Sequence, residues 1–465
     1  MSGVRLRRSL LLAGVLGTLA SAPGAHAAIT PGCPGTPSAS GVPELPGPAL
    51  RLGINPAGPA GALGAPESAA PDRPEQTLSA LARLRPGSAP FALRLNRLFW
   101  SEGEAAIRRF QVLSNRYTHR NYLVELQVRY HPTPAQEGDV AGFVRFVREV
   151  VDRFGSNPRV IALQVTNEVN LTFSPDSSDG AYRGAREALV QGVIAAKEEA
   201  RRRHFGQLTV GFNWAYRGLP SDDQSFWSFL HDRGGPRFQR ALDWVGLDAY
   251  PGTFFPPVEP PGGERDGIVN ALSSLRECWM PSAGIGRSVP IHVEETGYPT
   301  GPGRTEERQV LATQTLVNAV NDFRATYGVS DLRWFDLRDH NSSSSNFQRH
   351  YGLLNDDYTP KPAFEVFRGL VAELTARPSG RVRVAVRVRG RRATLTGRDL
   401  GLVRRVDWYL GRRLLTRTDG RPFALRVPRG RAAARLFARA VLADGRLTGV
   451  HRSGRIGAGS AAIHP

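Results

Sequence analysis

The chain has almost no sulfur chemistry to offer. Its 465 residues include two cysteines, Cys33 and Cys278, too few for a thiolate metal centre or a disulfide-built scaffold. In an oxidising compartment the two could pair and pin the N-terminal tail to the flank of the following domain; two buried free thiols are the equal alternative. Long hydrophobic runs are also missing. The apolar run at residues 10–19 covers roughly ten positions, where a bilayer span needs about 20, so the chain is not expected to span a membrane. There is no His-x-His pair, no Glu-flanked His-x-x-x-His and no cysteine cluster, which argues against a metal-dependent enzyme and leaves no cofactor to expect. No Gly-rich phosphate loop follows the first strand-like run. Lysine is absent from residues 377–465.

What is present begins with an export pattern. Arg5, Arg7 and Arg8 precede the apolar run, and Ala25-His26-Ala27 supplies the small residues a signal peptidase requires. Residues 1–27 therefore read as a signal peptide and the mature protein as secreted. Residues 28–48 are dominated by Pro, Gly, Ala and Ser, which bury too little apolar surface to fold alone, so they read as a disordered segment. The net charge of +19 is concentrated at the other end. Residues 377–465 hold 22 arginines against four aspartates, a balance of +18, so the rest of the chain is close to neutral.

Between these ends, short apolar runs alternate with helical periodicity. Strands are expected at residues 50–54, 91–95, 122–128, 160–166, 208–212, 244–249, 289–293 and 332–335. Val140, Phe143, Val144, Val147, Val150, Val151 and Phe154 recur at three- and four-residue steps, the spacing of one helix face. Asp139 can cap that helix, and Gly155 with Asn157-Pro158 stops it. Eight strands alternating with helices predict an α/β fold, a (β/α)8 TIM barrel, over residues 49–376. From residue 377 the texture changes. Residues 381–388 alternate Arg and Val, and further strands are expected at 403–409, 423–427 and 437–442 between Asp-Gly turns. Residues 377–465 thus predict a small all-β domain of sandwich size.

Two acidic sites fall at strand ends. One is VTNEVN, closing the fourth strand with Asn167-Glu168; the other is IHVEETGYPT, closing the seventh with Glu294-Glu295. In a barrel of this kind the working residues sit at the C-terminal strand ends. Strands four and seven lie across the mouth from each other, so their carboxyls can flank one bond. Glycoside cleavage needs that pair, one as proton donor to the leaving oxygen and one to attack or to activate water. Either motif alone is common in turns and caps, and their conjunction carries the reading.

With those residues in place, residues 50–375 resemble the clan A glycoside hydrolases, the cellulase-like (β/α)8 superfamily of retaining enzymes. The resemblance implies Glu168 as acid/base and Glu295 as nucleophile, with Asn167 on the substrate 2-hydroxyl. It further implies Arg94 beneath the nucleophile, where its opposite charge keeps a carboxylate ionised, Tyr250 hydrogen-bonded to it, and Trp334 as the floor of the subsite. Asp248 stands where cellulase-like members often carry histidine. Strand parity lets only one of Glu294 and Glu295 enter the mouth; Glu295 is chosen, and Glu294 is expected to pair with a basic side chain outside the barrel. Residues 349–367 resemble the clan's exit from strand eight. Residues 406–428 resemble the Ig-like modules attached to exported bacterial enzymes.

Aromatic side chains suit sugar faces. Trp100 and Trp214 follow strand ends and are candidate platforms, with Tyr216 and Phe254-Phe255 behind them; His131 could line the cleft or be structural. For the arginine-rich domain, a solvated face, retention on an anionic cell-surface polymer and, more remotely, nucleic acid compete; it has no base-reading motif, so nucleic acid is not an expected partner. The sequence therefore points to hydrolysis of a β-linked oligo- or polysaccharide. The rival class is a non-catalytic carbohydrate-binding or adhesion protein on a barrel scaffold.

Overall fold

The computed structural model describes residues 44, 48–56, 69–87, 89–217, 220–255, 257–375, 384–397, 400, 403–411, 413–418, 422–427, 436–442 and 451–452. The signal-peptide expectation lies outside them. Eight parallel strands close into a barrel in sequence order. They are β1 (Arg51–Ile54), β2 (Ala92–Phe99), β3 (Leu123–Arg129), β4 (Val160–Val165), β5 (Thr209–Ala215), β6 (Trp244–Asp248), β7 (Ile291–Thr296) and β8 (Val329–Trp334). Every expected barrel strand is present, with ends displaced by a few residues. Helices connect them, as parallel neighbours require. The helix Val140–Phe154 starts where Asp139 accepts from the Gly142 N–H at 2.8 Å, and Gly155 ends it. Its Phe143, Val147, Val150, Val151 and Phe154 are buried, as their spacing demands.

Alternation within each strand decides which side chains face the barrel axis. In β3, Val124, Leu126 and Val128 join the apolar layer under the helices, whereas Glu125 and Gln127 reach residues of other strands across the interior. Polar groups recur on that inner face. Arg333 meets Asp331 at 2.7 Å and Glu125 at 3.2 Å, Arg94 meets Glu294 at 3.3 Å, and His292 meets Asp331 at 3.2 Å. All six are buried. Such groups are tolerated only because they pair. Glycines make the room: a Cβ at Gly246 would fall 2.8 Å from Asn213 Cβ and 3.0 Å from Glu294 Cγ, and one at Gly211 would overlap the Trp244 ring. That ring stacks on His292, with centroids 4.5 Å apart.

The C-terminal residues form two antiparallel sheets, one of β9 (Val384–Arg389), β10 (Arg392–Gly397) and β13 (Ala424–Arg426), the other of β11 (Val403–Leu410), β12 (Arg413–Thr418), β14 (Leu436–Leu442) and β15 (His451–Arg452). Val386, Leu395, Val406, Trp408, Phe423 and Leu436 lie in its core. β10 and β12 were not expected from sequence: β10 buries only Ala393 and Leu395 beside threonines, and in β12 Arg413 and Arg417 flank the adjacent Leu414-Leu415, which does not alternate. Cys278 is buried and disulfide-bonded; Cys33, the other cysteine of the chain, lies outside the described residues. No helix among the described residues is long and apolar enough to cross a membrane.

Candidate active site

The mouth of the barrel holds a cavity of about 290 Å³ at the C-terminal strand ends. Asn167, Glu168, Asp248, Tyr250 and Glu295 all line it, together with Tyr216, Phe254, Phe255, Phe335 and Tyr351. The structure thus brings the β4 and β7 carboxyls together. One oxygen from each of Glu168, Asp248 and Glu295 falls within 4.8 Å of the others.

Glu295 is held from two sides. Arg94 Nη1 donates to Oε1 at 2.7 Å, and the Tyr250 hydroxyl donates to Oε2 at 2.7 Å. Arg94 is itself fixed, because its Nε and Nη2 donate to Gln164 Oε1 at 3.1 and 2.7 Å. Two donors of this kind suit an anionic carboxylate.

Glu168 has a contrasting setting. Its backbone lies in the left-handed region, φ 46°, as does that of Thr166, φ 65°, a conformation that side chains other than glycine adopt at a cost and that clusters at functional sites. The Glu168 N–H donates to Asn213 Oδ1 at 2.9 Å. Burial, and then the nearby Glu295, push its carboxyl up to about 8. Two carboxyls in one cavity therefore have opposed environments, the condition for an acid and a base to work side by side. Asp248 is also pushed well above the usual carboxylate range, by burial and then by Glu295 and Glu168.

Asn213 ties the strand ends together: its amide donates to Asn167 Oδ1 at 2.8 Å and to Asp248 Oδ2. Asn167 Oδ1 also accepts from Gln127 at 2.7 Å, while its own amide donates to the Ser177 carbonyl at 2.7 Å. Asp179 accepts from the Asn167 N–H at 3.0 Å and from Arg129 Nε at 2.8 Å. Asn213, Gln127, Arg129 and Asp179 were not singled out from sequence. The signal was present in β3, where Glu125, Gln127 and Arg129 put a polar group at every second position.

Several expectations need correction. Glu294 is not outside the barrel: it is fully buried within it, against Arg94 and against His292 at 3.1 Å. The pairing register of β7 shifts between Val293 and Thr296, and such an irregularity breaks strict alternation. Both glutamates therefore turn inward, Glu294 to a deeper layer and Glu295 to the cavity. The three tryptophans do not line the cavity. Trp334 packs on Phe367 of the helix Pro362–Thr375, with centroids 5.8 Å apart. Trp214 packs on Trp227 and donates to Asp223 at 2.8 Å. Trp100 packs between Tyr130 and Phe143. The first two sit on the outward parity of β5 and β8, in phase with Phe212 and Leu332, so helix packing claims them. His131 packs between Phe99 and Tyr182 and does not line the cavity.

No protein-family model and no curated protein sequence matches the chain. Solved structures resemble it in fold. A GH5_18 protein from Streptomyces cattleya, solved with GlcNAc, is 16% identical with a TM-score of 0.50, covering 72% of this chain and 83% of that one. A family 39 glycoside hydrolase from Bacteroides cellulosilyticus WH2 is 14% identical with a TM-score of 0.49, covering 82% and 79%. A beta-glucosidase is 18% identical with a TM-score of 0.44, covering 62% and 85%. The chain has the (β/α)8 fold of such glycoside hydrolases, followed by a small all-β region.

Proposed function

We propose that the protein is a retaining β-glycoside hydrolase, with Glu295 as nucleophile and Glu168 as acid/base. The observation that carries the reading is the separation of the pair, with oxygens within 4.8 Å. A double displacement works at about 5–5.5 Å, whereas inversion needs about 6.5–9.5 Å to admit a water. In the first step Glu295 attacks the anomeric carbon while Glu168 gives its proton to the departing oxygen. In the second, Glu168 takes a proton from water, which attacks the glycosyl ester and frees Glu295. Arg94 and Tyr250 orient the nucleophile, and the aromatic wall offers faces for sugar rings.

The test is a screen of aryl β-glycosides and polysaccharides, with NMR following the anomeric configuration of the first product. A β product that disappears in Glu295→Ala is expected; an α product formed first would overturn the mechanism. On the order of its first 27 residues we also take the protein to be exported, which a mature N-terminus at Ala28 would verify. The arginine-rich region would then hold it to an anionic surface polymer, with binding that weakens steeply as salt is added.

A further inference from the structure

The cavity wall carries a cation that the chemistry above does not use. Arg94 is taken up by Glu295, and Arg129 by Asp179. Arg97, which also lines the cavity, has no hydrogen bond, ion pair or ring contact through its guanidinium among the described residues, although it is partly buried. Burial and the nearby Arg129 pull it down to about 10, and the charges of Glu295 and Asp176, which act on it without a hydrogen bond or ion pair, do not offset that loss of water. Its position is built. The register of β2 against β3 shifts between Leu95 and Leu98, Arg97 takes φ 70°, and its N–H donates to Gln127 Oε1 at 3.0 Å. Irregularities of this kind re-aim a side chain beside active sites. Arg97 also stands where the cavity meets a second one of about 360 Å³, which shares Asn96 and Arg97 with it.

Resting on the hydrolase reading, we propose that the substrate is an acidic saccharide whose anionic group is bound by Arg97. A guanidinium presents a planar fork that matches a carboxylate or a sulfate with two parallel hydrogen bonds. A neutral sugar hydroxyl would leave the guanidinium without a direct anionic partner, since Glu295 and Asp176 act on it only at longer range. The anion gives the Arg97 guanidinium the direct hydrogen-bonded partner it lacks among the described residues, and the junction of the two cavities places that contact along the path of an extended chain.

The test uses three 4-nitrophenyl β-glycosides that differ only at C6: the glucoside, the glucuronide and the glucoside 6-sulfate. A short β-linked uronide oligosaccharide and its methyl ester cover the second cavity. Wild type, Arg97→Gln and Arg97→Lys are compared, with thermal melting as the folding control. A charge-assisted contact gives about tenfold or more in kcat/KM, so the acidic member of a pair is expected to lead by that factor. The lead collapses in Arg97→Gln and partly returns in Arg97→Lys, and whichever acidic arm leads identifies the group. Equal or better turnover of the neutral members, with Arg97→Gln altering all alike, overturns this proposal and leaves the hydrolase standing. If nothing is turned over, calorimetry decides. Binding of the uronide oligosaccharide, lost in Arg97→Gln, keeps the acidic ligand and removes the hydrolase; no binding removes both.

Discussion

On the proposed mechanism, replacing Glu168 by Gln removes the proton donor while keeping the shape of the side chain. At pH 7, a carboxyl titrating at about 8 is roughly 90% protonated, whereas one at the ordinary 4.5 is about 0.3% protonated. Burial and Glu295 thus supply roughly 300 times more of the acid form. Positioned acid catalysis is worth about 10²–10⁴-fold, so Glu168→Gln is expected to lower kcat/KM by that factor on alkyl or sugar leaving groups. On a 2,4-dinitrophenyl glycoside, which leaves without a proton, the first step persists. The second step then lacks its base, so an initial burst followed by slow turnover is expected. The sign of the pH effect follows from the role. The acid works while protonated, so wild-type kcat/KM falls as pH rises through about 8, and that limb disappears in Glu168→Gln. Stopped-flow and steady-state assays from pH 5 to 10 read both effects. A limb near pH 8 that survives the substitution, or full activity on poor leaving groups, would refute the assignment.

Tyr250→Phe deletes one donor to Glu295. A hydrogen bond to a charged group is worth about 1.5–3 kcal/mol, so kcat should fall roughly 10- to 150-fold with little change in melting temperature. Trp214→Ala empties a packed site between barrel and helix; a loss of about 3–5 kcal/mol is expected by chemical denaturation, and a selective rise in KM without that loss would restore the tryptophan to the cleft. Although burial opposes its charge, Asp331 is held below the usual aspartate range by His292, Arg333 and Arg51. Its contribution is therefore fully present above the unfolded value of 3.8 and lost as pH falls through the lower folded one. Asp331→Asn should cost about 3–5 kcal/mol at pH 7, with the deficit closing only in strong acid; a deficit that closes by pH 5 would contradict the ion-pair account.

Sequence by itself determined the barrel, because eight apolar runs and the helical repeats between them are local signals that burial enforces everywhere. Strand ends, which are legible, also placed Glu168 and the Glu294-Glu295 pair at one mouth, and the resemblance to the clan singled out Glu295 and set Arg94 and Tyr250 beside it, where both donate to it. Tertiary structure alone decided what depends on departures from alternation. The register shift in β7 turned Glu294 inward beside Glu295, and the one in β2 turned Arg97 into the cavity. It also decided the tryptophans: Trp214 and Trp334 have the composition of sugar platforms, yet they stand on strand faces that helices cover. A large ring gains more from complete burial in that layer than from a half-wet cleft. The proposed catalytic pair was legible in strand order, while the walls around it were set by small irregularities of pairing that no sequence period encodes.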